Sequence, residues 1–188
     1  MIYKLQLISI SILFIIISSF TSQAQTIKAK KGYTQQIGNM VAMLEDLKSR
    51  VTRNVKNLSL EEIDFLLDAD ANRIGALIYH LAATEKYYQL YTFENRGFNK
   101  EEEKWTTALS LGDNARGILK DKPISYYLDI CDEVRKETLQ LLKTKNDKWF
   151  ESGVKNSNMN NHFAWYHVME HQANHMGQIA LISKRVKK

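Results

Sequence analysis

The sequence predicts an all-α protein, a four-helix bundle with one long crossover connection. Three observations lead there. Four stretches repeat apolar residues at three-four spacing, as helices with one buried face require. No stretch alternates apolar and polar residues like a half-buried strand, and no hairpin signal is present. A span at residues 95–122, carrying Gly97, Gly112 and Gly117, is long enough to cross from one end of a bundle to the other. Four helices of about 20 residues, each with one apolar stripe, bury those stripes most simply against one another.

Residues 1–24 differ in kind from the rest. A short start with Lys4 leads into an apolar run from Leu5 to Phe20, followed by small polar residues and Ser22-Gln23-Ala24 before Gln25. This is the layout of a cleavable signal peptide. A membrane-spanning helix needs about 20 apolar residues, and Ser9, Ser11, Ser18 and Ser19 interrupt this run. The expectation is an exported protein, periplasmic or secreted, with no membrane contact after cleavage. No cysteine follows the run, so a lipid anchor is not expected.

Residues 25–32 are polar and lysine-containing and read as a flexible leader, and residues 33–188 as the domain. Within it, Ile37, Met40, Val41, Leu44, Leu47 and Val51 mark the first helix, at 33–55. Ser59-Leu60-Glu61-Glu62 is a capping box that opens a short turn through Phe65, Leu66 and Leu67. Residues 68–72 are expected to cap a second helix at 71–94, with Ile74, Leu77, Leu81, Thr84 and Tyr88 inward and His80 on the flank. In the crossover, Trp105 and Leu109 are the apolar anchors. Pro123 suits a first helical position, and the third helix runs to about Leu142 on Ile124, Tyr127, Leu128, Cys131, Val134 and Leu141. A loop at 146–161 precedes the last helix, capped by Asn160 or Asn161.

The chain has 26 basic and 21 acidic residues and a formal charge of +5. Both signs are interspersed, which suits a solvated surface and gives no nucleic-acid footprint. The basic tail, Lys184 to Lys188, complements a helix C-terminus. The single cysteine, Cys131, forms no internal disulfide and falls on an apolar stripe, as a small core residue does.

The chemistry concentrates in the last helix, residues 161–183. Of the five histidines, His167, His171 and His175 recur every fourth residue, stacked on one face about 6 Å apart. Ala164, Val168, Gln178 and Ile182 share that face, which places the rings on the buried seam, where polar groups need partners. Imidazoles at i and i+4 converge on one metal ion without distorting a helix. A third nitrogen has to come from a facing helix at the same depth, and His80 is the helical histidine available. His80, His171 and His175 together form a neutral, open-sided donor set suited to zinc or nickel. The alternative is that His80 and His167 lie at the rim while His171 and His175 are hydrogen-bonded core residues.

Two rival motifs fail. His167-Val168-Met169-Glu170-His171 spells the inverted zincin pattern H-x-x-E-H, but no Asp or Glu follows Glu170 to complete it. Carboxylate di-iron bundles require Glu-x-x-His, and no glutamate here has histidine three residues on.

His171-Gln-Ala-Asn-His175-Met-Gly-Gln178-Ile179 resembles the H-x-x-x-H-x-G-Q-I signature near the end of DinB-like proteins. Asn72-Arg-Ile74 with His80-Leu-Ala-Ala-Thr-Glu85-Lys-Tyr87-Tyr88 is similar to that family's second-helix signature. The resemblance covers about residues 33–186. It implies a four-helix bundle with crossed connections and a three-histidine divalent metal site, its ligands falling on His80, His171 and His175. It also implies kinship with metal-dependent transferases and isomerases that use small thiols such as bacillithiol or mycothiol.

Around that site, His167, Gln178, Glu85 and Asn174 are the candidates to support the ligands. Glu85 is turned about 140° from His80, which directs it towards a neighbouring helix. Tyr79, Trp165 and Tyr166 are candidate pocket walls. The expected activity is a metal-dependent hydrolase or group transferase acting on a small molecule, with no general base identified. The alternatives are a non-enzymatic metal or ligand-binding module, or a structural bundle stapled by metal. A homodimer through one helix face is a further expectation.

Overall fold

A computed structural model describes residues 26–186. The expected signal peptide, residues 1–24, and Gln25 lie outside the described residues. In chain order the helices are α1 (Gln35–Val55), α2 (Leu60–Ile63), α3 (Ile74–Gln89), α4 (Glu103–Ser110), α5 (Gly112–Ile118), α6 (Ile124–Lys143), α7 (Asp147–Glu151) and α8 (Asn161–Val186). No strand occurs among the described residues, and an isolated bridge pairs Gly153 with Asn160. No described helix is long and apolar enough to cross a membrane.

The long helices α1, α3, α6 and α8 form the bundle. α3 packs on α6 and α8, and α1 packs on α8 and α6. Helices consecutive in this set, α1 and α3 or α6 and α8, therefore stand diagonally opposite. Crossed connections follow from that order, and the last helix is wedged between the first two. Gly75 explains how closely α3 approaches α6: a Cβ there would lie 2.5 Å from the Tyr127 ring.

Local chemistry sets the ends. The α1 N-terminus is capped from a distance, because Asp147 accepts from the Gln36 and Ile37 amides (3.1 and 3.3 Å) and from the Thr34 hydroxyl. Those amides have no intrahelical partner, so the bond docks α7 onto α1. The Ser59 capping box is present on α2. Asn160, not Asn161, caps α8 by accepting from the Phe163 amide at 2.8 Å.

Several boundaries differ from expectation. α3 begins at Ile74 with Arg73 as its flanking residue and no side-chain cap; residues 68–72 instead form a turn in which Asp68 accepts from the Asp70 amide. The helix continues past Gln89 as a π-turn to Glu94 and stops at Asn95, whose φ of 56° is left-handed. The crossover is mostly helical, comprising a 3-10 turn, α4 and α5. Pro123 stands just ahead of α6 rather than within it, and Leu142 rather than Leu141 is fully buried. The leader is not free of the domain: Lys30 donates its amide to Gly38 (3.1 Å), against which Ala29 also packs.

The core is divided. One cluster gathers Val51, Val55, Ile74, Leu77, Ile78, Tyr127 and Ile179, and the other Ile37, Leu44, Leu142, Phe150, Trp165 and Val168. Between them lies a polar layer centred on Arg135, which is 2% exposed. Its guanidinium donates twice to Glu85 of α3 (2.7 and 2.8 Å), once to Glu45 of α1 (2.9 Å) and once to Gln172 of α8 (3.2 Å). Thr138 donates to the same Glu85 carboxylate at 2.6 Å. One side chain of α6 thus holds all three other bundle helices.

Removing one partner of such a group strands a buried charge, at a cost of about 3–5 kcal/mol, whereas an apolar pair of similar volume restores much of the loss. Urea unfolding is therefore expected to show a severe loss for Arg135→Met and substantial recovery in Arg135→Met/Glu85→Met. Equal losses in both variants would contradict this account of the layer.

Candidate metal centre

The histidines are brought together by α3 and α8. His80, on α3, is 7% exposed, while His171 and His175 are half-buried on the flank of α8 that faces it. One nitrogen from each of the three lies within 4.8 Å of the others. The His171 and His80 Nε2 atoms are 2.8 Å apart, and the ring centroids are 4.5 to 4.8 Å apart.

Hydrogen bonds decide which nitrogen of two rings faces inward. His80 Nδ1 is 3.0 Å from the Ala108 carbonyl. A carbonyl only accepts, so Nδ1 carries the proton and Nε2 keeps its lone pair. Ala108 lies in the last turn of α4, where helix carbonyls lack intrahelical partners. His175 Nδ1 likewise donates to the Gln178 amide oxygen at 3.1 Å. Bonds of this kind fix tautomer and ring orientation in histidine metal sites.

Charge is consistent with the same use. Burial, then the neighbouring His175, His80 and His167, lowers the His171 pKa to about 4. Burial also lowers His80 and His175. All three rings are therefore neutral near pH 7, the state a metal ligand requires. Nitrogens bound at about 2.0–2.1 Å around a tetrahedral ion stand about 3.4 Å apart; here the His80–His171 pair stands at 2.8 Å and all three lie within 4.8 Å. The donor set fits a divalent ion.

The other candidates separate. Gln178 orients His175, but it is exposed and does not lie on the buried seam of α8, which runs through Trp165, Val168, Gln172, Ile179 and Ile182. Glu85 is committed to Arg135 and Thr138 and is turned away from the rings. Asn174 donates to Glu170, out on the surface. His167 lies one turn beyond His171, with ring centroids 5.7 Å apart, beside Tyr88 and 3.8 Å from Glu170. Trp165 is a core residue, Tyr166 pairs with Phe163 on the surface, and Tyr79 meets Trp105 edge-on. Cys131 donates to the Ile78 carbonyl, and burial pushes its pKa up to about 12, which disqualifies it as a nucleophile.

Two contributors escaped the sequence reading. The Ala108 carbonyl is a backbone group and has no residue-type signature. Thr84, one turn after His80, places Oγ1 3.4 Å from His171 Nε2; its i+4 spacing from His80 was the available signal.

Fold and site together define a helical bundle of the DinB/YfiT-like metal-binding superfamily. Within it, the chain belongs to the mycothiol-S-transferase (MST) family, whose model matches residues 39–187. No curated protein matches the chain.

The depressed His171 pKa has a consequence for the metal-free protein. Between pH 6.5 and about 4 the unfolded chain takes up a proton that the folded ring refuses, so stability falls as pH drops through that window. Chelator-treated protein should unfold at lower urea at pH 5 than at pH 7, and His171→Gln should narrow the difference. An unchanged difference in that variant would contradict the assignment.

Proposed function

We propose that this chain is an exported metal-dependent group transferase in which His80, His171 and His175 hold a divalent ion, zinc or nickel, and a small thiol enters from the open side. The observation that carries the reading is the convergence of three neutral imidazoles, two of them with Nδ1 already engaged so that Nε2 faces the common centre. Membership of the mycothiol-S-transferase family supports a thiol as co-substrate. The apolar run followed by Ser22-Gln23-Ala24 supports export. A divalent ion bound there would supply Lewis acidity and favour the thiolate form of a thiol that reaches it.

The protein's own groups do the positioning. The Ala108 carbonyl and the Gln178 amide hold two rings, and Arg135 keeps α3 and α8 at matching depth through Glu85 and Gln172. In the transfer to an aryl halide the S–H and carbon–halogen bonds break and a carbon–sulfur bond forms; the thiol proton and the halide ion both leave to solvent.

A second reading, a module that binds a small ligand without turnover, is favoured by one feature. Among the described residues no carboxylate joins the histidine cluster, and both nearby glutamates, Glu85 and Glu170, are engaged elsewhere.

Untagged protein recovered from the exported fraction should begin at Gln25 and contain about one zinc or nickel ion per chain. It should catalyse thiol conjugation of a chromogenic aryl halide and lose both metal and turnover in His171→Ala. Metal content indifferent to that substitution would sink the site. Bound metal without turnover on thiol, ester or amide panels would select the binding module.

A further inference from the structure

Thr84 departs from the behaviour of its helical neighbours. Buried threonines in helices often return the hydroxyl to the carbonyl four residues back, and Thr92 does so here, at 2.6 Å. Thr84 is 4% exposed, yet its hydroxyl partner is the ring of His171, with Oγ1 3.4 Å from Nε2. That is the nitrogen facing His80 Nε2 at 2.8 Å. The hydroxyl is therefore aimed at the point where the imidazoles converge, from the α3 side and one turn beyond His80.

The arrangement has a consequence for partner-counting. His80 Nε2 holds a lone pair, because its Nδ1 proton is engaged by Ala108. In the neutral metal-free pair His171 Nε2 then supplies the proton of the 2.8 Å contact, and Thr84 is its weaker second neighbour. With His171 Nε2 donating to His80 Nε2 in the metal-free pair, and equally with both Nε2 atoms committed to an ion, neither ring accepts from Thr84. A buried hydroxyl without a partner costs about 1–3 kcal/mol. A group arriving beside the rings with a free lone pair would meet that need.

Resting on the metal reading above, we propose that Thr84 is the side chain that hydrogen-bonds the incoming small-molecule nucleophile, donating Oγ1–H to a thiolate sulfur or an oxygen held at the open side of the three-histidine centre. The hydroxyl selects for a hydrogen-bond acceptor of small size, since Thr84 is only 4% exposed and a small group alone reaches it beside the rings. It is a positioning group: it holds the nucleophile at the rings and takes no proton from it.

Cobalt(II)-loaded protein titrated with 2-mercaptoethanol tests this, using the thiolate-to-cobalt absorption band as readout. Thr84→Val, nearly isosteric, is expected to weaken thiol binding about tenfold, the loss of one hydrogen bond, while cobalt affinity stays within about twofold of the wild type. Thr84→Ser, which restores the hydroxyl, is expected to recover thiol binding. Unchanged thiol affinity in Thr84→Val would overturn the proposal, and so would equal losses of cobalt and thiol affinity or a Thr84→Ser variant as weak as Thr84→Val. Wild-type protein that binds no cobalt, or binds it equally after His171→Ala, would overturn the metal reading itself and this proposal with it.

Discussion

Three imidazole nitrogens can sit within 4.8 Å of one another only if two helices far apart in sequence are locked at one depth. An error of a single helical turn, about 5.4 Å, would part His80 from both partners. Apolar packing alone fixes such a register poorly, because neighbouring rungs of Leu, Ile and Val are nearly interchangeable. The Arg135 layer removes that ambiguity. Its bidentate bond to Glu85 and its bond to Gln172 have one satisfactory alignment, and sliding either helix would strand a buried charge. Gln172 adjoins His171 directly, while Glu85 lies little more than a turn from His80, so the layer sets the depth of the site.

The crossover completes the arrangement. By laying α4 against α3, it presents the free Ala108 carbonyl to His80. That bond fixes the tautomer of the most buried ring, while Gln178 does the same from the surface for His175. The site is thus supported from three directions: the polar layer inside, a helix end above α3, and an amide on the α8 surface.

Much of this was legible from residue spacing. The periodicities of α1, α6 and α8 located those helices, and the His171/His175 spacing with a helical His80 singled out the cluster the structure assembles. What was not legible depends on tertiary pairing. Arg135 sits on an apolar stripe, and its burial is intelligible only with Glu45, Glu85 and Gln172 around it. The helical character of the crossover was masked by its glycines and charges, although α4 carries the contact His80 needs. Gln178 was assigned to the buried seam by helical angle; the seam is in fact centred on Gln172 and Ile179, and Gln178 reaches His175 from outside. The leader looked free because lysines dominate it, whereas Ala29 and the Lys30 amide, the parts that touch α1, carry little sequence signal.

The central claim is that the three inward Nε2 atoms share one ion. Diffraction from crystals of the protein, recorded on both sides of the zinc and nickel absorption edges, tests it most directly. The account predicts a single anomalous peak about 2.0–2.1 Å from Nε2 of His80, His171 and His175, with Nδ1 of His80 still on the Ala108 carbonyl. A peak elsewhere, or one bound through His167 with His80 turned away, would contradict it.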